Sequence, residues 1–122
     1  MLNPLLQTRV TAVGDTSVID LTGEISASAE QVMLDAYDQV SAQNTGKVLL
    51  DFAQVEYINS TGIALIVRLF SQALKARQII AVSGLNEHYT EIFKITRLAE
   101  YARLYPDRES ALQELEPVNQ ED

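Results

Sequence analysis

The segment Lys47-Val48-Leu49-Leu50-Asp51-Phe52 is a short, almost unbroken apolar run. A strand of that kind has no face suited to water, so it belongs in the middle of a sheet covered on both sides. Val55 to Ile58 extends it briefly. A polar turn follows, Asn59-Ser60-Thr61-Gly62, and the turn opens onto the apolar segment Ile63-Ala64-Leu65-Ile66. A buried strand that feeds an apolar helix is the first half of a crossover unit, and crossovers join parallel strands.

The rest of the chain repeats that alternation. Val10–Val13 and Ser17–Thr22 read as two strands of a hairpin, with Asp15-Thr16 as the turn after Gly14. From Ser28 to Gln43, Ala29, Val32, Met33, Ala36, Tyr37 and Val40 recur at helical spacing. Ser28 with Gln31 has the form of a capping box, and Asn44-Thr45-Gly46 is a stop signal. The second helix runs from Ser60 to about Ala76, with Ile63, Val67, Phe70 and Leu74 as its core stripe and Leu65, Leu69 and Ala76 beside it. Gln78–Val82 is a further strand. Asn86 caps a third helix to about Ile95, Tyr101–Leu104 is a last short strand, and Asp107 caps a final helix to about Leu115. These readings predict one α/β domain over residues 1–115, with a mixed sheet of four to five strands and about four helices. Residues 116–122 are expected to be an acidic, disordered tail.

Composition narrows the function. Seventeen acidic side chains against nine basic ones give a net charge of −8, which repels nucleic-acid phosphates and anionic membranes. The apolar run Ile63–Val67 is too short to span a bilayer, and the first residues lack the pattern of a signal peptide, so direct membrane insertion is not expected and a cytoplasmic location is. There is no cysteine, hence no disulfide or thiolate metal site, and the one histidine, His88, has no partner at metal-ligand spacing. Nucleophile-elbow, phosphate-loop and dinucleotide-binding motifs are all missing. Asp35, Asp38, Asp51 and Glu56 are carboxylates without the setting of acid–base catalysis. The expectation is a protein without enzymatic activity, cofactor or bound metal.

The turn at Asn59–Gly62 is open to two readings. Asn59 or Ser60 can serve simply as a helix N-cap, since Asn and Ser side chains accept bonds from the orphan N–H groups of a first turn. The wider segment, however, resembles the signature of the STAS family, named for sulfate transporters and anti-sigma factor antagonists. Asp51-Phe52 followed by Asn59-Ser60-Thr61-Gly62-Ile63 matches its strand, turn and helix. Leu21-Thr22-Gly23-Glu24-Ile25 is similar to the family's Gly-Glu-[Leu/Ile], and Asp107-Arg108-Glu109-Ser110-Ala111-Leu112 to its final helix. The resemblance spans roughly Val10 to Leu115.

The resemblance implies an anti-sigma factor antagonist. Its partners would be an anti-sigma factor that is also a serine kinase, and a phosphatase. The unphosphorylated form binds the kinase and frees the sigma factor; phosphate on Ser60 ends the binding. Asn59, Thr61 and Gly62 complete the switch turn, and Glu24, Ser26, Leu65 and Leu69 are candidate partner-binding residues. Two positions depart from the family pattern: Asn59 and Ser26 stand where it commonly has acids. The alternatives are a non-catalytic STAS subunit of a lipid-transporting ABC system or signalling scaffold, and a domain that binds a small molecule or nucleotide. The sequence sets no oligomeric state.

Overall fold

In a computed structural model, residues 5–117 are described. Strand β1 (Gln7–Val13) and strand β2 (Thr16–Ile25) form an antiparallel hairpin, closed by Gly14 and Asp15. Thr16, expected in the turn, already pairs with Val13. A 3₁₀ turn at Ala27–Ala29 leads into helix α1 (Glu30–Gln43). Strand β3 (Lys47–Ile58), helix α2 (Ser60–Lys75), strand β4 (Ile79–Ser83) and helix α3 (Glu87–Ile95) follow, then a 3₁₀ turn at Leu98–Glu100, strand β5 (Arg103–Tyr105) and helix α4 (Arg108–Leu115). The five strands lie in the order β1-β2-β3-β4-β5, and each pairing after the first is parallel. The expected α/β domain with a mixed sheet is the fold observed.

The apolar run of β3 is central, as its composition requires. Val48, Leu50 and Phe52 point to one face, with Ile19 and Leu21 of β2 and Ile80 and Val82 of β4. Helices α1, α2 and α3 cover that face with Met33, Ala36, Val40, Ile66, Phe70 and Phe93. The Phe93 ring packs edge-on against Phe52 at 5.8 Å and Phe70 at 6.4 Å. Leu49 points the other way and joins Val18 and Ala81 beneath Ala111 and Leu115 of α4. Each Val, Leu, Ile, Met or Phe side chain so removed from water contributes about 1.5–3 kcal/mol.

The helix ends follow their caps, with one exception. Asn44 takes the left-handed conformation at φ 54° and stops α1. Asn86 accepts from Tyr89 N–H at 2.8 Å, and Asp107 from Ser110 N–H at 2.7 Å. The capping box at Ser28 and Gln31 does not form. The 3₁₀ turn occupies that stretch, Ser28 Oγ lies 3.3 Å from Ser26 Oγ, and Gln31 donates to Asp35 further along the helix.

The end of the chain is anchored further than its acidic composition suggests. Glu116 accepts from Lys47 Nζ at 3.0 Å, Thr16 Oγ1 at 2.9 Å and Asp15 N–H at 3.1 Å. The hydrogen bond from the Lys47 ammonium, supported by that from Thr16, holds its carboxyl below the ordinary glutamate range. The expected tail therefore does not begin at Glu116; its last residues, 118–122, lie outside the described residues.

Candidate functional site

The turn between β3 and α2 is held from three sides. Within it, Asn59 has extended backbone and its Oδ1 accepts from Gly62 N–H at 2.8 Å. Its carbonyl accepts from Ile63 N–H at 2.9 Å. Asn59 is thus the N-cap, which settles one of the two sequence readings for this residue. Beneath the turn, Tyr89 of α3 is buried, and its hydroxyl oxygen accepts from Ile58 N–H at 2.9 Å. Sequence reading passed over Tyr89, although it falls one helical turn before Phe93 and just inside the Asn86 cap. The third support is the end of β2. Asn59 N–H donates to the Ile25 carbonyl at 3.2 Å. The α-carbon of Gly62 packs so closely on the same peptide group that an added Cβ would lie 2.7 Å from the Ile25 carbonyl carbon and nearer still to its oxygen.

This close approach joins two stretches that are 37 residues apart at Ile25 and Gly62. Glu24 pairs with Tyr57 and Ile25 with Ile58 along the parallel register. Gly23 has φ 110°, beside an irregularity in that register, so β2 turns sharply as it reaches the site. Glu24 and Ser26 are half-buried next to the turn, while Ser60 and Thr61 are exposed on it. Ser60 is the first residue of α2. Among the described residues its hydroxyl has no hydrogen-bond partner. The first-turn N–H groups of Ser60 and Thr61 point out of the helix end, where its positive dipole lies.

Leu65 and Leu69 are not surface residues. Both are buried, and with Met33 and Leu34 they line the seam between α2 and α1. Above that seam Arg68 pairs with Glu30 at 2.7 Å. The expected core stripe is displaced for the same reason. The sheet side of α2 carries Gly62, Ile66, Phe70 and Ala73, whereas Val67 is 46% and Leu74 45% exposed. The apolar arc of α2 covers more than half its circumference and is wider than the face it buries, and the expected stripe lay along the edge of that arc turned away from α1. The apolar side chains that α2 leaves exposed are Val67 and Leu74, with Ile63 half-buried nearer the turn, and Tyr57 of β3 is exposed just before it.

Other singled-out residues are structural or solvent-facing. Asp51 accepts from Ala53 N–H at 3.1 Å and Ser83 Oγ at 3.2 Å, securing the neighbouring ends of β3 and β4. His88 is exposed, its ring edge-on to Tyr89. Among the described residues no three His, Asp or Glu side chains are grouped to hold a metal ion, and no helix is long and apolar enough to cross a membrane.

Comparison with known structures gives the same fold. The chain is similar to an anti-sigma factor antagonist from Mycobacterium paratuberculosis, with TM-score 0.76 and 22% identity over 89% of this chain and 92% of that one. It is similar to the anti-sigma factor antagonist SpoIIAA in its unphosphorylated form, with TM-score 0.71 and 14% identity over 93% and 99% of the two chains. The phosphorylated form of SpoIIAA, a Bacillus cell fate determinant, gives TM-score 0.68 and 15% identity over 90% and 98%. No curated protein sequence matches the chain. A family model described as "Mlab, STAS domain" matches residues 8–106. That span takes in nearly all of the sheet and the turn at Asn59–Gly62, and the chain belongs to the STAS domain family.

Proposed function

We propose that this protein is a phosphorylation-controlled protein-binding regulator of the anti-sigma factor antagonist type, with Ser60 as the phosphate acceptor. The observation that carries this reading is the placement of Ser60: exposed, at the first position of α2, on a turn fixed by Asn59, Gly62 and Tyr89. The unphosphorylated form binds an anti-sigma factor serine kinase and releases the sigma factor; phosphate ends the binding, and a phosphatase reverses it. A structural relative exists in both phosphorylated and unphosphorylated forms.

The physics of such a switch is favourable here. A phosphate adds a charge of about −1.5 to −2 at pH 7. The end of α2 accommodates that charge, because its dipole and the free N–H groups of Ser60 and Thr61 favour an anion. The domain keeps its fold. A partner lying on Ser60, Thr61 and the exposed side of Val67 meets a charge it has to desolvate, next to Glu24. In this reading Glu24 and Ser26 border the contact, and Ile63 and Val67 take the place that Leu65 and Leu69 held in the sequence analysis.

A second reading is a constitutive STAS subunit of a lipid-transporting ABC system or signalling scaffold, in which the turn is an interface and needs no phosphate. Two observations favour it. Asn59 is a neutral cap where the family commonly has an acid, and the matching family model is described by the name Mlab. The test is binding of wild-type protein and Ser60→Asp to partners from host extract, each with and without ATP, with mass spectrometry of Ser60. The switch reading expects a kinase on wild type alone and ATP-dependent phosphate on Ser60. Equal binding by both forms, with Ser60 unmodified, would overturn it in favour of the constitutive subunit.

A further inference from the structure

The two edges of the sheet differ sharply. The β5 edge is three residues long and carries Arg103. The β1 edge is seven residues long, Gln7-Thr8-Arg9-Val10-Thr11-Ala12-Val13, or about 24 Å of strand. Among the described residues nothing pairs with its outer side. Natural sheets protect such edges with lysine, proline, bulges or short strands. β1 has no lysine, proline or bulge: its register with β2 is unbroken, and its single charge is Arg9, opposite Asp20, whose carboxylate pairs with Arg108 at 2.7 Å.

The hairpin fixes which groups point outward. Gly14, at φ 58°, occupies the first position of the two-residue loop, and Val13 and Thr16 close it as a hydrogen-bonded pair. Hydrogen-bonded and open pairs then alternate. Val13, Thr11, Arg9 and Gln7 spend their backbone groups on β2, and Ala12, Val10 and Thr8 present theirs outward.

We infer that this edge pairs with the same edge of a second copy, antiparallel about a two-fold axis at Val10, to give one continuous sheet through both molecules. This inference is independent of the proposed phospho-switch. In this register Val10 bonds to the second copy's Val10, and Thr8 to its Ala12. Each outward group on one strand thereby meets one on the other, as an isologous interface demands. Arg9 faces the second copy's Thr11, so like charges are not opposed. The register shifted by two residues toward the strand start is disfavoured, because it places Arg9 directly against Arg9.

Two flanking observations fit the same occupant. Leu5 is 70% and Val13 38% exposed, at opposite ends of the edge. By strand alternation both lie on the side away from the buried Leu6. In the paired form Leu5 of each copy comes diagonally across from Val13 of the other. There, among the described residues, a groove of about 750 Å³ with Val13, Leu112 and Pro117 as its apolar lining and Arg108, Glu109 and Glu116 as its charged lining can receive it. The opposing force is the −8 charge carried by each copy, which salt screens.

Sedimentation velocity on the full chain tests the inference, over micromolar to millimolar protein in low and high salt. The expected result is a mass rising from 13.5 kDa toward twice that value, at lower concentration in high salt. Ala12→Pro removes an outward N–H without touching the β2 ladder and is expected to weaken association at least tenfold. Leu5→Asp, at an exposed position outside the strand, is expected to do the same and decides the matter should Ala12→Pro fail to fold. Ile95→Asp, at an exposed position at the end of α3, should associate like wild type. A wild-type chain that stays at 13.5 kDa throughout, or a folded Ala12→Pro or Leu5→Asp variant that dimerises as wild type does, overturns the inference.

Discussion

Gly62→Ala puts two physical effects in direct opposition. Residue 62 lies in the first turn of α2, where helix propensity alone favours alanine by about 1 kcal/mol. The structure predicts the reverse. The new methyl would sit 2.7 Å from the Ile25 carbonyl carbon and 3.0 Å from Ile58 Cγ2. Ile25 is strand backbone with no exposed area and cannot swing aside as a side chain would. Relief requires the turn and the end of β2 to part. Overpacking of this kind costs about 1–3 kcal/mol, here toward the upper end because backbone is involved. Loss of the Asn59 N–H bond to Ile25, 3.2 Å long, adds about 1 kcal/mol. After the propensity gain the net destabilisation is about 3 kcal/mol, or a fall in melting temperature of roughly 10 °C. Urea unfolding followed by circular dichroism measures it, provided the slope with denaturant is unchanged. Ala64→Gly, exposed in the same helix, is the control and should cost about 1 kcal/mol. A Gly62→Ala variant as stable as wild type, or more so, refutes the close-packed turn.

Three further outcomes are expected. Asn59→Ala should lose about 1 kcal/mol with the cap, while Asn59→Asp should keep the cap and gain about 0.3–1 kcal/mol from the helix dipole at neutral pH; equal stability of the two, read by urea unfolding, would mean that the side chain at 59 is not capping. Phe93→Ala should cost about 3–5 kcal/mol, since it removes a fully buried ring and both of its edge-on aromatic contacts; calorimetry checks this. The Glu116 carboxyl is held below the ordinary glutamate range, so its contribution is present above that range and is lost as pH falls through the lowered value. Glu116→Gln should therefore flatten part of the acid limb of a stability–pH profile and leave its alkaline side unchanged.

The elements were legible wherever a local rule had no rival. The apolar run of β3 has no water-compatible face, and Asn44, Asn86 and Asp107 each stop or start a helix by their own chemistry. Reading failed where several rules were satisfied at once. In α2, apolar residues cover more than half of the circumference opposite Arg68, Gln72 and Lys75, and packing against α1 decides which edge of that arc is buried: Leu65 and Leu69 go inside while Val67 and Leu74 stay out. Ser28 and Gln31 satisfy a capping pattern, but the chain spends that stretch on a 3₁₀ turn. In the site, Ser60 and Gly62 stand out in the sequence. Tyr89 and the Ile25 carbonyl do not, because their role lies in contacts between segments far apart in the chain. The hold of Glu116 on Lys47 and Thr16 was hidden in the same way, behind an acidic composition that reads as a tail.

The order of strands across the sheet equals their order along the chain, and this bears on synthesis. As the polypeptide leaves the ribosome, β2 meets β1 at once, and β3 then adds to the free side of β2. At every stage the newest strand finds its partner already made, so no earlier pairing has to open to admit a later one. The exposed stage comes when β3 has been added and α2 and β4 have not. Val48, Leu50 and Phe52 then lie open along an unpaired edge, and this interval is the one in which a growing chain most needs shelter from its neighbours.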